Sequence, residues 1–265
     1  MIPVAMTIAG SDPSGGAGLQ ADLKVFQQFG VFGTSVATLL TAQNTLGVRN
    51  VQTCSADFVA AQLDTVLEDI PPAAAKTGAL GSEEIVNLVA EKAAQFPFPL
   101  VVDPVVVSKS RDRLIDDQGL EAVRKRLLPA ALIATPNAYE AEVLTGITVL
   151  DVPSMIRAAE ALARLGPRCV LLKGPDIAVD APDLLLMEGN CRLLRAERIR
   201  TRHTHGAGCV FSAAITAGLA LGMSVLDAVQ AAKDFITEAI RQAPGLGHGR
   251  GPLNLNILPS RSRGK

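Results

Sequence analysis

The residues best suited to chemistry in this chain are Thr204-His205-Gly206-Ala207-Gly208-Cys209. Gly206 and Gly208 let the backbone turn tightly and approach a bound group with no Cβ in the way. The stretch after them, Val210 to Leu221, is apolar on nearly every face, which predicts a buried helix. The N-terminus of such a helix offers free N–H groups and the positive end of its dipole, a ready site for an anion. Phosphoryl transfer depends mainly on positioning and charge stabilisation, so this turn suits a transferable phosphate. The same glycines would also serve close helix packing. Cys209 stands at that N-terminus, where a thiol is expected to have a lowered pKa and to accept the proton of an attacking hydroxyl. A small buried cysteine is the other reading.

Other candidates sit at predicted strand ends. Gly10-Ser11-Asp12-Pro13-Ser14-Gly15-Gly16-Ala17-Gly18 follows a first strand and contains a loose dinucleotide fingerprint. The loop is long, and the next strand ends in Thr41-Ala42-Gln43 instead of the ribose-binding acid, which counts against a nicotinamide enzyme. The chain also lacks the Gly-Lys-Ser/Thr of a P-loop. Asp22, on the following helix, faces either substrate or solvent. Asn137 and Glu140 have the spacing of a capping box, and the same oxygens could hold water around Mg²⁺. Asp103 is a second acid for such a metal. Lys173 could balance nucleotide phosphate charge or simply be solvated.

The elements that must position these residues alternate between strand and helix. Val4 to Ala9, Val36 to Leu40, Ala73 to Thr77, Leu100 to Val102, Leu132 to Ala134 and Cys169 to Leu172 read as strands. Ala17 to Phe29 and Phe58 to Ile70 carry helical periodicity, and Ser82 is placed to cap a third helix. Alternation of this kind implies βαβ crossovers and a mostly parallel sheet with helices on both faces, an α/β fold. Leu184 to Met187 and Leu193 to Ile199 are expected to form an antiparallel edge around Gly189-Asn190. One domain is expected over residues 1–255, with 256–265 a flexible tail. Ligands of such sheets bind beyond the carboxyl ends of the strands, where five polar clusters fall.

Composition narrows the partners. Of the residues, 48% are hydrophobic and the formal net charge is −1, with no basic stripe, so nucleic acid is not expected as a partner. The N-terminus has no basic region of a signal peptide, and the longest apolar stretch is too short to span a bilayer. Cys54, Cys169, Cys191 and Cys209 lack metal-ligand spacing and are expected to be free thiols in a reducing cytoplasm.

The motif order resembles one family. Gly-Ser-Asp-Pro-Ser-Gly-Gly-Ala-Gly at 10–18, Gln-Ala-Asp-Leu-Lys at 20–24, Ala-Gln-Asn-Thr at 42–45, Thr-Pro-Asn at 135–137 and Thr-His-Gly-x-Gly-Cys at 204–209 resemble the hydroxymethylpyrimidine/phosphomethylpyrimidine kinases of thiamine biosynthesis, in the ribokinase-like superfamily. The resemblance runs from Ala5 to Asn254 and includes Pro244-Gly245-Leu246-Gly247-His248-Gly249. It implies a three-layer α/β/α fold, a homodimer, and ATP with Mg²⁺. The implied reaction phosphorylates 4-amino-5-hydroxymethyl-2-methylpyrimidine and then its monophosphate. Gln43 is implied to hydrogen-bond the aminopyrimidine, which an amide can do with one donor and one acceptor. Asp22, Gly10, Ala79 and Val106 are implied near the substrate, and Lys173, Asn137, Thr204 and His205 near ATP. Gly206, Ala207 and Gly208 are implied to form the anion hole. Cys209 takes the place of the catalytic base, and Glu140 with Asp103 that of the Mg²⁺ site, through water.

The chain departs from the family pattern at Ala207, at His203, and at Ala79 and Val106, where methionines usually wall the pyrimidine pocket. Arg111 replaces a usual glycine. The smaller walls imply a looser pocket. The rival activities are a pyridoxal or pyridoxine kinase of the same fold, against which Gln43-Asn44-Thr45 speaks, and a non-catalytic pyrimidine-binding protein.

Overall fold

The computed structural model describes residues 2–106, 115–174 and 182–259. Arg111 and residues 260–265 of the expected tail lie outside the described residues. The strands are β1 (Val4–Ser11), β2 (Phe32–Asn44), β3 (Gly47–Thr53), β4 (Ala74–Thr77), β5 (Leu100–Val102), β6 (Ile133–Ala134), β7 (Cys169–Leu172), β8 (Asp183–Met187) and β9 (Asn190–Leu194). The helices are α1 (Gly18–Gln28), α2 (Ala56–Asp69), α3 (Glu83–Ala93), α4 (Asp117–Ala122), α5 (Ala138–Thr145), α6 (Val152–Ala163), α7 (Ala207–Ala220) and α8 (Val225–Arg241).

The described strands form one sheet in the order β3-β2-β1-β4-β5-β6-β7-β8-β9. Its centre, β2 to β7, is parallel, as the apolar runs predict. Both edges are antiparallel, whereas the sequence reading expects only one such edge: β3 pairs with β2, and β8 with β7 and β9. The β8–β9 turn is centred on Glu188-Gly189, with Glu188 at φ 51, so β9 begins at Asn190 and ends at Leu194, short of the expected Leu193 to Ile199.

Alternation along β1 explains the two cores. Met6 and Ile8 face a cluster with Val59, Leu63, Ile85, Val86 and Leu127 on the side of α2 to α6. Ala5 faces the other cluster, with Val25 and Phe26 of α1, all of the apolar α7, and Phe235 of α8. This is a three-layer α/β/α arrangement. The chain remains packed past Arg250: Asn254 N–H donates to the Ala239 carbonyl at 3.0 Å, and Leu253, Leu255 and Ile257 are buried. Of the tail expected from 256, Ile257 is buried.

Strand order reverses at β1, which has β2 on one side and β4 on the other. The crevice beyond the carboxyl ends of β1 and β4 is thus the topological switch point, the usual place for a ligand in an open α/β sheet.

Candidate active site

Two glycine loops meet at this crevice. Gly206 caps α7 at φ 79, a left-handed conformation that a side chain disfavours, and a Cβ there would overlap the Gly16 carbonyl oxygen. Residues 206–209 are thus seated on the first glycine loop. The loop bears on the thiol in turn, because the Gly18 backbone N–H favours the Cys209 thiolate. The backbone turn is closed by Ala207 N–H to the Thr204 carbonyl at 3.3 Å. α7 follows with every residue from Val210 to Ala220 buried, so its N-terminal donors open into a site whose walls are protein.

Cys209 is half-buried at this helix start. Its thiol differs from the sequence expectation. Burial is the largest influence and, with the Asp22 and Asp103 carboxylates, pushes it up to about 11 despite the Lys76 charge and the Gly18 N–H. The helix N-terminus does not win here because desolvation disfavours the thiolate more strongly.

Four charged side chains underlie the turn. Lys173 Nζ is 3.1 Å from Asp103 Oδ1, and a Cβ on Gly208 would lie 3.2 Å from that Nζ. Lys173 therefore stands directly beside the anion turn. Burial opposes its charge, but Asp103 and Glu140 outweigh burial and hold it above its ordinary value. Asp103 spends its oxygens on protein donors: Thr135 Oγ1 at 3.1 Å, Lys173, and Ser212 Oγ at 3.3 Å. Deeper down, Lys76 Nζ is 2.8 Å from Asp22 Oδ2, and both side chains are 0% exposed. Thr7 Oγ1 donates to the same Asp22 oxygen at 2.6 Å. Asp22 is thus neither on a solvated helix face nor open to a ligand at its surface; it is an interior counterion. Lys76 keeps its charge because Asp22, then Cys209 and Asp103, outweigh the cost of burial.

The substrate-side candidates are gathered at the switch point in part. A Cβ on Gly10 would lie 3.7 Å from Ala79 Cβ, so the ends of β1 and β4 are in contact there, and Thr38 Oγ1 fastens the Ala79 carbonyl at 2.6 Å. Val106 is packed into the core on the α3 side, 4% exposed. Gln43, at the end of β2, lines an open cleft with Pro13, Ala42, Asn44 and Arg49. The Pro244 to Gly249 stretch braces this region: Gly249 N–H reaches Thr45 Oγ1 at 3.2 Å, and Arg250 N–H the Thr45 carbonyl at 2.9 Å. His205 is expected near ATP. Its ring is buried, with Nε2 2.7 Å from Asp12 Oδ2 and 3.4 Å from Gln43 Nε2, so it faces the first glycine loop and the substrate strand.

The capping box at α5 is present in full. Asn137 Oδ1 accepts the Glu140 N–H at 2.9 Å, and Glu140 Oε2 accepts the Asn137 N–H at 2.8 Å. Glu140 is nevertheless buried beside Lys173 and Asp103. Burial first, then Asp103, pushes its carboxyl up to about 7 against the pull of Lys173 and the Asn137 N–H. Among the described residues no three His, Cys, Asp or Glu side chains are grouped to cage a metal. Glu140, buried beside Lys173 and Asp103, is a carboxylate whose chemistry would fit a Mg²⁺ held mainly by phosphate and water. Among the described residues no helix is long and apolar enough to cross a membrane.

The phosphomethylpyrimidine kinase family model matches residues 12–254. The chain belongs to that family. It is 48% identical over 252 residues to the hydroxymethylpyrimidine/phosphomethylpyrimidine kinase of Streptomyces coelicolor, covering 95% of this chain and 94% of that one. Among solved structures, phosphomethylpyrimidine kinase from Clostridium difficile superposes with a TM-score of 0.81 at 43% identity, covering 90% of this chain and 99% of that one. An ADP complex of Bacillus subtilis pyridoxal kinase superposes with a TM-score of 0.88 at 38% identity, covering 96% and 97%. The ribokinase-like fold expected from the sequence is therefore the fold of this kinase.

Two residues of this family member escape sequence reading. Lys76 is a lysine inside the short strand Ala74–Thr77, and that burial of a charge was the available signal. Asp12 looks like an ordinary turn aspartate, and nothing local announces its partner 193 residues away.

Proposed function

We propose that this kinase transfers the γ-phosphoryl group of ATP to the hydroxymethyl group of 4-amino-5-hydroxymethyl-2-methylpyrimidine, and then to the resulting monophosphate. The observation that carries this reading is the Gly206–Cys209 turn. It joins a buried helix N-terminus to Lys173, at the same switch point as Gln43. Donors aimed at the transferring phosphate stabilise its charge without reorganisation. The ADP complex of the Bacillus subtilis relative supports a nucleotide as donor. Mg²⁺, when bound, would neutralise phosphate charge, with Glu140 its protein contact through water. Lys173, directly beside the turn, would neutralise phosphate charge as well. Cys209 sits where an attacking hydroxyl would lose its proton. A thiol near 11 carries its proton at neutral pH, so only its thiolate form, on the order of one part in 10⁴ at pH 7, can accept the hydroxyl's proton, and turnover is expected to rise with pH. Gln43 reads the aminopyrimidine edge. A homodimer is part of the same reading, tested by light scattering.

A pyridoxal kinase is the second reading, because the pyridoxal kinase of Bacillus subtilis shares the fold over nearly the whole chain. An ADP-release assay with both substrates separates them. The proposal expects kcat/KM for the aminopyrimidine to exceed that for pyridoxal; the reverse order would overturn it.

A further inference from the structure

The ring of His205 lies between Asp12 and Gln43, and the proton on its Nε2 has a consequence for both. Asp12 Oδ2, 2.7 Å from Nε2, also accepts the Ala17 N–H and the Ser14 hydroxyl, each at 2.9 Å. The Asp12 side chain is only 4% exposed. Burial alone would raise its carboxyl, but the bonds from His205 and Ser14 and the charge of His205 hold it below its ordinary value. An ionised carboxylate can only accept. The proton of the His205–Asp12 contact therefore resides on His205 Nε2, whether the ring is neutral or charged.

That proton constrains Gln43. One end of the Gln43 amide is 3.4 Å from His205 Nε2, and the other is 3.2 Å from Thr41 Oγ1. Thr41 has one hydroxyl proton, and the Ser11 carbonyl takes it at 3.0 Å. An amide nitrogen turned toward His205 would set donor against donor. A half-turn about the last side-chain torsion exchanges nitrogen and oxygen and moves nothing else. Then Gln43 Oε1 takes the longer branch of a three-centre bond from the Nε2–H that His205 gives mainly to Asp12, Gln43 Nε2 donates to Thr41 Oγ1, and Thr41 donates to Ser11. Every group has a complementary partner.

In this orientation the amide keeps one lone pair and one N–H for a ligand. They complement the amino group and adjacent ring nitrogen of a 4-aminopyrimidine. A 4-oxopyrimidine presents the opposite pair, a carbonyl and a ring N–H, and needs the amide reversed. We propose that His205, its proton fixed by Asp12, is a positioning residue that sets the Gln43 amide and so selects amino- over oxopyrimidines. The inference rests on the reading of Gln43 as the substrate's reader. It also explains why a residue adjoining the phosphate turn reaches across to the end of β2: the loop that holds phosphate and the strand that reads the ring share one hydrogen-bond chain.

The test compares kcat/KM for 4-amino-5-hydroxymethyl-2-methylpyrimidine and its 4-oxo counterpart, on the full chain, with melting curves to verify folding. Wild type, Gln43→Ala, His205→Ala and Thr41→Val are measured side by side. Loss of one hydrogen bond's worth of selection corresponds to roughly tenfold. The amino-to-oxo ratio is expected to fall about tenfold or more in His205→Ala and in Thr41→Val, mainly through KM. If Gln43→Ala leaves the ratio unchanged, the reading of Gln43 itself fails. If Gln43→Ala loses the ratio but folded His205→Ala and Thr41→Val retain it, Gln43 stands and the positioning role is overturned. Equal losses on both substrates in His205→Ala, a merely structural effect, also overturn it. Should His205→Ala not fold, Thr41→Val decides alone.

Discussion

Replacing Lys76 by Met leaves Asp22 without its counterion in a fully buried site, and the size of the penalty can be bounded. In the wild type the ammonium is 2.8 Å from Asp22 Oδ2, neither side chain is exposed, and Thr7 supplies one further donor. Asp22 Oδ1 has no hydrogen-bond partner among the described residues. Breaking a buried pair by removing one partner typically costs about 3–5 kcal/mol. The carboxylate has an escape, which is to take up a proton. From its ordinary value of 3.8, protonation at pH 7 costs about 1.4 kcal/mol per pH unit, roughly 4 kcal/mol in all. That figure is a ceiling on the charge penalty. Burial already raises the Asp22 carboxyl in the wild type against the pull of Lys76, and loss of Lys76 raises it further, so the deficit is largest at high pH and is relieved as pH falls toward 3.8. At pH 5 the ceiling is only about 1.6 kcal/mol. Urea unfolding of wild type and Lys76→Met at pH 7 and pH 5 reads the difference at each pH. The expected loss is about 3–4 kcal/mol at pH 7 and about half of that or less at pH 5. The double variant Asp22→Asn/Lys76→Met should recover most of it at pH 7. A loss that is independent of pH would refute the reasoning, because it would come from packing and not from a stranded charge.

Other outcomes follow from the same geometry. Gly206→Ala should lower turnover by roughly 10²-fold or more and depress the melting temperature, because its Cβ overlaps the Gly16 carbonyl as well as straining the backbone. Gly189→Ala, at a similar φ but with nothing within 4 Å, should cost only about 1–2 kcal/mol and leave turnover intact. Cys209→Ala should reduce kcat roughly 10²-fold, and alkylation of Cys209 in the wild type should rise with pH toward a midpoint near 11. A midpoint below the usual thiol value would restore the helix-dipole expectation. Glu140, held at about 7 against an ordinary 4.5, favours the fold when protonated; that contribution is fully present below about pH 4.5 and is lost as pH rises through 7. Melting curves should therefore show wild type losing stability relative to Glu140→Gln between pH 4.5 and 8, and Mg²⁺ with ATP offsetting the loss at pH 8.

What could be read in advance depended on how local the determinants are. The central strands were legible because buried parallel strands are continuous apolar runs, and the α5 capping box was legible because it is set by residues three apart. β3 was not, because Gly47–Thr53 is an exposed edge with neither an apolar run nor alternation. The β8–β9 turn was misplaced because Glu188 adopts a positive φ that sequence does not announce. The phosphate turn was legible from glycine spacing and the apolar helix behind it. The protonation state of Cys209 was not, since it follows from burial and from carboxylates of α1 and of the end of β5. Asp22 and His205 were likewise picked out as site residues, but their partners, Lys76 54 residues away and Asp12 193 residues away, exist only in the folded chain.

The central claim is that phosphate passes from ATP to a pyrimidine hydroxymethyl group at the Gly206–Cys209 turn. Phosphorus NMR of the full chain with ATP, Mg²⁺ and 4-amino-5-hydroxymethyl-2-methylpyrimidine follows that transfer atom by atom. The account predicts a phosphate monoester that appears as ADP forms and is then converted to a diphosphate. ADP formed with inorganic phosphate alone, or ATP left unchanged, would contradict it.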